Sequence, residues 1–351
     1  MVDMGLNNYR FSISWPRLLP DGTLSAPSAD GLRYYNDLIN ELLANDIQPM
    51  VTLYHWDLPQ ALQDYGGWTN ESIIEHFNNY ADYCYQQFGD RVKLWLTFNE
   101  PWVVSLLGHG LALLAPGIAE PATTVYVVSH NIIKSHSRAW HTYDDNYRSV
   151  QNGQVGITLN TDFYAPNSTE EADIQAADRV LQFSLGWFAN PIFVNGDYPE
   201  VMKTAIAAKS ADQGLSQSRL PEFTEEEIAY NKGTADFIGI NHYTTQYAAD
   251  ATGKPTFNGV PSFWNDQSAE YWKDPIWPGA ASTWLKVVPW GIRGLLNWVW
   301  DNYQMPIYIT ENGVSTHDVY ELEDTVRVNY YKAYINEVLK GMCCNVSCVG
   351  K

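Results

Sequence analysis

Six short runs dominated by Val, Ile, Leu and aromatic residues, at 8–14, 48–54, 92–98, 154–160, 236–240 and 306–310, recur along the 351-residue chain with longer amphipathic stretches between them. Strand-like runs that alternate with helical patterns are the signature of repeated βα units and a parallel sheet. Strands in such a sheet are buried on both faces, which accounts for their near-continuous apolar character. The intervening stretches carry helix signals. Asn70 precedes a helical pattern to Phe88, Thr224 and Glu227 form a capping box before Ile228, and Asp324 is placed to cap a helix that ends at Gly341. Gly-, Pro- and Ser-rich loops are expected at 20–28, at 165–168 and, longest, at 248–283, where no strong period is present. In a barrel, that last loop follows a strand and so falls on the face where the strands end. No boundary or internal repeat beyond the βα alternation divides the chain. Residues 1–340 therefore read as a single barrel-type domain, and 341–351 as an atypical Cys-containing tail.

Charge and composition narrow the function classes. A formal charge of −19, from 21 Lys and Arg against 40 Asp and Glu, argues against nucleic acid, whose phosphates are bound by clustered cations. A neutral or cationic small molecule fits better. No run of about 18 apolar residues is available to span a membrane. The 14 Trp and 23 Tyr suit the C–H faces of sugars, although most such rings belong in a core. Cys84 lies within a helical pattern while Cys343, Cys344 and Cys348 crowd the last nine residues, and none has zinc-type spacing to a His. His130, His136 and His141 share one helical stretch but lack a metal-ligand spacing, so neither a metal nor another cofactor is expected. There is no nucleophile elbow and no phosphate-cradling loop. Sequons at Asn70, Asn167 and Asn345 point to a secretory pathway, whereas Met1 opens directly on a strand pattern without a leader.

Two of the strand-like runs deliver a Glu at their ends, in Leu96-Thr97-Phe98-Asn99-Glu100-Pro101 and Ile307-Tyr308-Ile309-Thr310-Glu311-Asn312-Gly313. A carboxylate at the rim of an apolar strand costs desolvation energy unless something offsets it. Taken singly, each reads equally well as a structural ion-pair member or a catalytic acid. Together, and with Met4-Gly5-Leu6-Asn7-Asn8-Tyr9-Arg10-Phe11-Ser12-Ile13-Ser14-Trp15 and Tyr54-His55-Trp56-Asp57-Leu58-Pro59, they resemble the motifs of the family-one glycoside hydrolases, the beta-glucosidase and lactase-like family. The resemblance extends to Tyr330-Tyr331.

That resemblance implies a (β/α)8 TIM-type barrel and retaining hydrolysis of terminal β-linked sugars in a small-molecule glycoside or oligosaccharide. It implies Glu100 as acid/base and Glu311 as nucleophile. Arg10 and Tyr243 match family residues that contact the nucleophile; Arg10 read by itself is also open to a structural ion pair in the barrel interior. Asn99 is placed like the residue that binds the sugar 2-hydroxyl and His55 like the one that binds the 3-hydroxyl, with Trp56 beside it and Asn241 at another strand end. Trp284, in Ser282-Thr283-Trp284-Leu285, resembles the aglycone platform, with a purely packing role as the alternative. The family's first strand is expected before Met1 and its last after Lys340, which leaves six strands of eight and two open edges. The 108–117 segment is apolar where the family carries a more polar loop. A second reading follows from these departures: a catalytically impaired sugar-binding or interaction protein.

Overall fold

The structure, a computed structural model, describes residues 1–317 and 322–345, with side chains through Met342. All six expected strands form, and they pair in parallel in one curled sheet. They are β1 (Asn8–Ser12), β2 (Gln48–Tyr54), β3 (Leu94–Asn99), β4 (Gln154–Asn160), β6 (Ile238–Asn241) and β9 (Ile307–Glu311), in the order β1-β2-β3-β4-β6-β9. This is a partial (β/α)8 barrel, with β1 and β9 as its edges among the described residues. Parallel neighbours need long crossovers, which the intervening helices supply. Four of the strands have bounds one or two residues away from the sequence expectation because the boundary is set by where pairing stops. Val92 and Lys93, for example, precede the first paired residue, Leu94.

Helices cover the outer face of the sheet, and most of the core lies between the two layers. Helix Ile73–Phe88 turns Phe77, Tyr80, Ala81, Cys84 and Phe88 inward, and helix Thr124–Asn146 packs beside it. Asn70 lies two residues ahead of the Ser72 cap, from whose N–H its side chain accepts a hydrogen bond. The Thr224–Glu227 capping box forms as expected, and Asp324 accepts from the Arg327 N–H. The final helix, Thr325–Asn345, continues past the expected stop at Gly341. Gly341 is buried against the Arg293 and Asn297 side chains of helix Pro289–Tyr303, each 3.6 Å from where a Cβ would stand, and the helix runs on through it. Inside the barrel, Met50, Leu96 and Phe237 close the end away from the strand C-termini.

The 248–283 segment is not a bare loop. It completes a second sheet, β5 (Phe163–Pro166), β7 (Thr245–Asp250) and β8 (Ala269–Trp272), in which β5 pairs parallel and β8 antiparallel to β7. The 165–168 loop begins inside β5 for the same reason. These strands are four to six residues long and only half-buried, so they leave little periodic signal. The second sheet stands beyond the C-terminal ends of β4 and β6 as a wall above the barrel mouth. Among the described residues, no helix is long and apolar enough to cross a membrane.

Candidate active site

Except for Arg10, which sits in the middle of β1, every expected site residue lies at a strand C-terminus or on a loop just beyond one, the functional face of such a barrel. Trp56, Glu100, Asn241, Tyr243, Trp284 and Glu311 line one cavity of about 610 Å³, a size suited to a small-molecule ligand. Arg10, His55 and Asn99 stand behind these and connect them by hydrogen bonds.

Two irregularities in the sheet aim the carboxylates. The β6–β9 register shifts after Ile240, so that Asn241 is paired with Glu311. The β3–β4 register shifts between Leu96 and Asn99. The residue after that strand, Glu100, takes a left-handed conformation at φ 51° and ψ 64°. Trp56 also has positive φ, at 82°. Left-handed backbone is costly for both residue types, and such strain gathers where a side chain must be aimed against local preference.

The two carboxylates sit in opposite surroundings. Glu311 is held at both oxygens: Arg10 Nη1 donates to Oε1 at 2.8 Å and the Tyr243 hydroxyl donates to Oε2 at 2.6 Å. Glu100 is only 7% exposed and, among the described residues, forms no ion pair. Its carboxyl accepts from Asn241 Nδ2 at 2.7 Å. Burial is the main cause that pushes its pKa up to about 7; the Asn241 hydrogen bond opposes that shift, the Glu311 charge adds to it, and Arg10 opposes it. Desolvation of Glu100 favours its protonated form, while Glu311 keeps two donors on its oxygens.

The supporting amides have fixed orientations. Thr310 Oγ1 donates to Asn241 Oδ1 at 2.7 Å, which turns Nδ2 toward Glu100. Arg10 Nη2 donates to Asn99 Oδ1 at 2.5 Å, so the Asn99 amide nitrogen faces His55 Nε2 at 3.2 Å. An amide nitrogen only donates, so Nε2 accepts and the ring is neutral. Burial acts the same way by lowering the His55 pKa. The two readings of Arg10 merge: it is an interior ion pair, and its partner is Glu311. Trp284 is half exposed at the rim and meets the Tyr243 ring edge-on, with centroids 5.7 Å apart.

The outer wall of the cavity went unread in the sequence. It comprises Trp264, Tyr271 and Lys273 from the long segment, Gln246 of β7, Asn160 at the end of β4 and Asp162 just beyond it. Asp162 Oδ2 accepts from Gln246 Nε2 at 2.8 Å and lies 3.4 Å from Lys273 Nζ. Asn160 and Asp162 were accessible to the same strand-end logic that singled out Asn241. Trp264 and Lys273, in a segment without period, had no local signal. Leu107 and Leu111 of the apolar 108–117 region and its flank also reach the cavity. The helical histidines have structural partners: His136 bridges Thr97 of β3 and the Thr234 carbonyl. Cys84 is buried and free. The side chains of Cys343, Cys344 and Asn345, and Cys348 altogether, lie outside the described residues.

The chain has close relatives among known proteins. The chain is 49% identical over 345 residues to human lactase/phlorizin hydrolase, covering 97% of this chain and 18% of that protein. It is 48% identical over 345 residues to human lactase-like protein, of which it spans 60%. It is 46% identical over 341 residues to human cytosolic beta-glucosidase, of which it spans 72%. The fold superposes on the rice beta-glucosidase Os3BGlu6 with a TM-score of 0.90 at 39% identity, over 97% of this chain and 74% of that one. Aphid myrosinase gives the same TM-score at 40% identity, over 97% and 72% of the two chains. Residues 1–350 match the sequence profile of Glycosyl hydrolase family 1, and the chain belongs to that family.

Proposed function

We propose that residues 1–340 form one catalytic unit that hydrolyses terminal β-linked sugars with retention of configuration, Glu100 serving as acid/base and Glu311 as nucleophile. The observation that carries this reading is the contrast between the two carboxylates in one cavity: one buried and raised to about 7, the other clamped by Arg10 and Tyr243.

The neutral Glu100 carboxyl gives its proton to the glycosidic oxygen as the bond from that oxygen to the anomeric carbon breaks. A Glu311 oxygen forms the new bond to that carbon, giving a glycosyl ester. Esterification removes the Glu311 charge, one of the causes that hold the Glu100 pKa up. Glu100, left as a carboxylate by the first step, can therefore stay ionised until it takes a proton from water, whose oxygen bonds to the anomeric carbon as the ester bond to Glu311 breaks. Asn99 and His55 are the donors and acceptors we assign to the sugar hydroxyls, with Trp56 and Asn241 beside them. Trp284 at the rim and the apolar Leu107 and Leu111 are assigned to the departing group.

Glu100→Gln separates the two roles. It should slow release of a poor leaving group by orders of magnitude, spare a dinitrophenyl β-glucoside in the first step, and regain turnover with added azide, which replaces the base-activated water. Equal loss on both substrates without azide rescue would contradict the assignment of Glu100.

We also infer passage through a secretory pathway from the sequons at Asn70 and Asn167, both exposed. A mass loss on treatment with an N-glycan-cleaving enzyme, after expression in a eukaryotic host behind a secretion leader, tests this; an unmodified chain would count against it.

A further inference from the structure

The most deeply buried ion pair described in the structure lies outside the catalytic network. Arg219 and Asp266 have side chains 2% and 0% exposed. Arg219 Nη2 donates to Oδ1 at 2.5 Å and Nη1 to Oδ2 at 2.9 Å, a two-pronged contact. The Tyr126 hydroxyl donates to Oδ2 at 2.5 Å, and Arg219 Nη1 also reaches the Ala122 carbonyl at 2.7 Å. Three remote stretches meet here: helix Thr124–Asn146, the segment before Thr224, and the short helix Phe263–Asp266 of the long insertion.

Two buried charges are a poor way to gain stability, because an apolar trio of similar volume is often as stable or more so. What directed bonds supply is one defined placement. The side chain so placed is Trp264, two residues before Asp266 in a single helical turn that Ser262 caps through the Asn265 N–H. Trp264 lines the cavity, with Phe257 stacked against it at 4.9 Å. Its neighbour Phe263 stacks on Trp187 at 5.2 Å and meets Trp102, two residues after Glu100, at 6.2 Å. Lys209 Nζ fixes the same turn through the Asn265 carbonyl at 2.8 Å.

We propose that the buried Arg219–Asp266–Tyr126 cluster is a positioning device that sets Trp264 as the wall facing the departing group, and so governs which aglycones are accepted. The substrate class it favours is an aryl or otherwise extended apolar aglycone. This rests on the glycosidase reading, since it is the acid, Glu100, that faces the leaving group.

The double variant Arg219→Met/Asp266→Leu removes both charges together and leaves neither unpaired. For phenyl β-glucoside it should raise KM about tenfold with kcat nearly unchanged; for methyl β-glucoside, whose aglycone is too short to reach the wall, both constants should hold. Adding Trp264→Ala to the double variant should cost nothing further, because coupled residues fail additivity. Equal effects on the two glycosides, no effect on either, or full additivity with Trp264→Ala would overturn the proposal. A parent chain that turns over neither glycoside would count against the glycosidase reading, and amide exchange then decides the positioning claim alone. Loss of protection confined to 257–272 in the double variant supports it. Unchanged protection, or equal loosening of 94–99, overturns it.

Discussion

At the scale of single residues, Glu100 carries the sharpest consequence. The folded chain binds its proton more tightly than the unfolded chain does, since burial raises its pKa to about 7. The stability linked to that proton is therefore present in acid, below the ordinary carboxylate range, and is lost as pH rises through about 7. If Glu100 is the acid proposed above, the alkaline limb of the activity profile should fall over the same window. The neighbours shift it in opposite directions: Glu311→Gln removes a nearby negative charge and should lower the Glu100 pKa, while Asn241→Ala removes a hydrogen bond to the carboxylate and should raise it. Titration of the Glu100 carboxyl carbon by NMR in the three proteins checks both signs. Tyr243→Phe deletes the 2.6 Å donor to Glu311 Oε2. A hydrogen bond to a charged group is worth about 1.5 to 3 kcal/mol, so turnover should fall about 10- to 100-fold. A loss of less than about threefold would show that Arg10 alone suffices.

At the scale of elements, strand ends aim the site and strand packing fixes the ends. Gly239 of β6 shows how little room exists: a Cβ there would lie 2.7 Å from Thr158 Oγ1 and 3.0 Å from Thr310 Cγ2. Thr310 orients Asn241, which in turn bonds Glu100. Gly239→Ala should destabilise the chain by about 1 to 3 kcal/mol through overpacking, and should perturb the Glu100 titration as well. Thermal unfolding measures the first effect and the NMR titration the second.

The same scale explains what was legible in the sequence. The six barrel strands announced themselves because burial on both faces forces unbroken apolar runs; Asn99, Glu100, Asn241 and Glu311 stood out as polar groups where those runs stop, and Arg10 as a charge in mid-strand. The small sheet did not, because β7 and β8 are short, half-buried and ordered by distant partners. Arg179 Nε donates to the Gln267 carbonyl and its Nη2 to the Asp250 side chain. Arg219 pairs with Asp266 across 47 residues. No window of sequence contains such information, and the outer cavity wall went unread with it. Gly341 misled in the converse way: a signal that stops many helices lies inside one here, buried against Arg293 and Asn297.

At the scale of the whole molecule, the barrel sheet has two edges among the described residues, and one of them carries Glu311. Glu311 lies on edge strand β9 and faces a second groove, lined by Ile309, Asn312, Tyr331 and Ile335, in addition to the main cavity. Its side chain is 26% exposed. Tyr9 of β1 and Tyr308 and Ile309 of β9 are also exposed. Unpaired strands with apolar side chains are templates for association. The chain alone should therefore self-associate with rising concentration in sedimentation velocity, and should turn over substrate slowly, because water reaching Glu311 from the groove weakens the preorganised charge environment. A monodisperse monomer with turnover at the typical median of about 10 s⁻¹ would show that the edge is harmless.

Slow turnover does not hide the central claim, which requires a single covalent event at one atom. A 2-deoxy-2-fluoro-β-glucoside with an activated leaving group slows both steps but the second more, and so accumulates the glycosyl ester. Intact-mass and peptide mass spectrometry of the chain after long incubation should show one added fluoroglucosyl group on the peptide that contains Glu311, and none in Glu311→Gln. A label on any other residue, or no label in a folded protein that binds the sugar, would contradict the account.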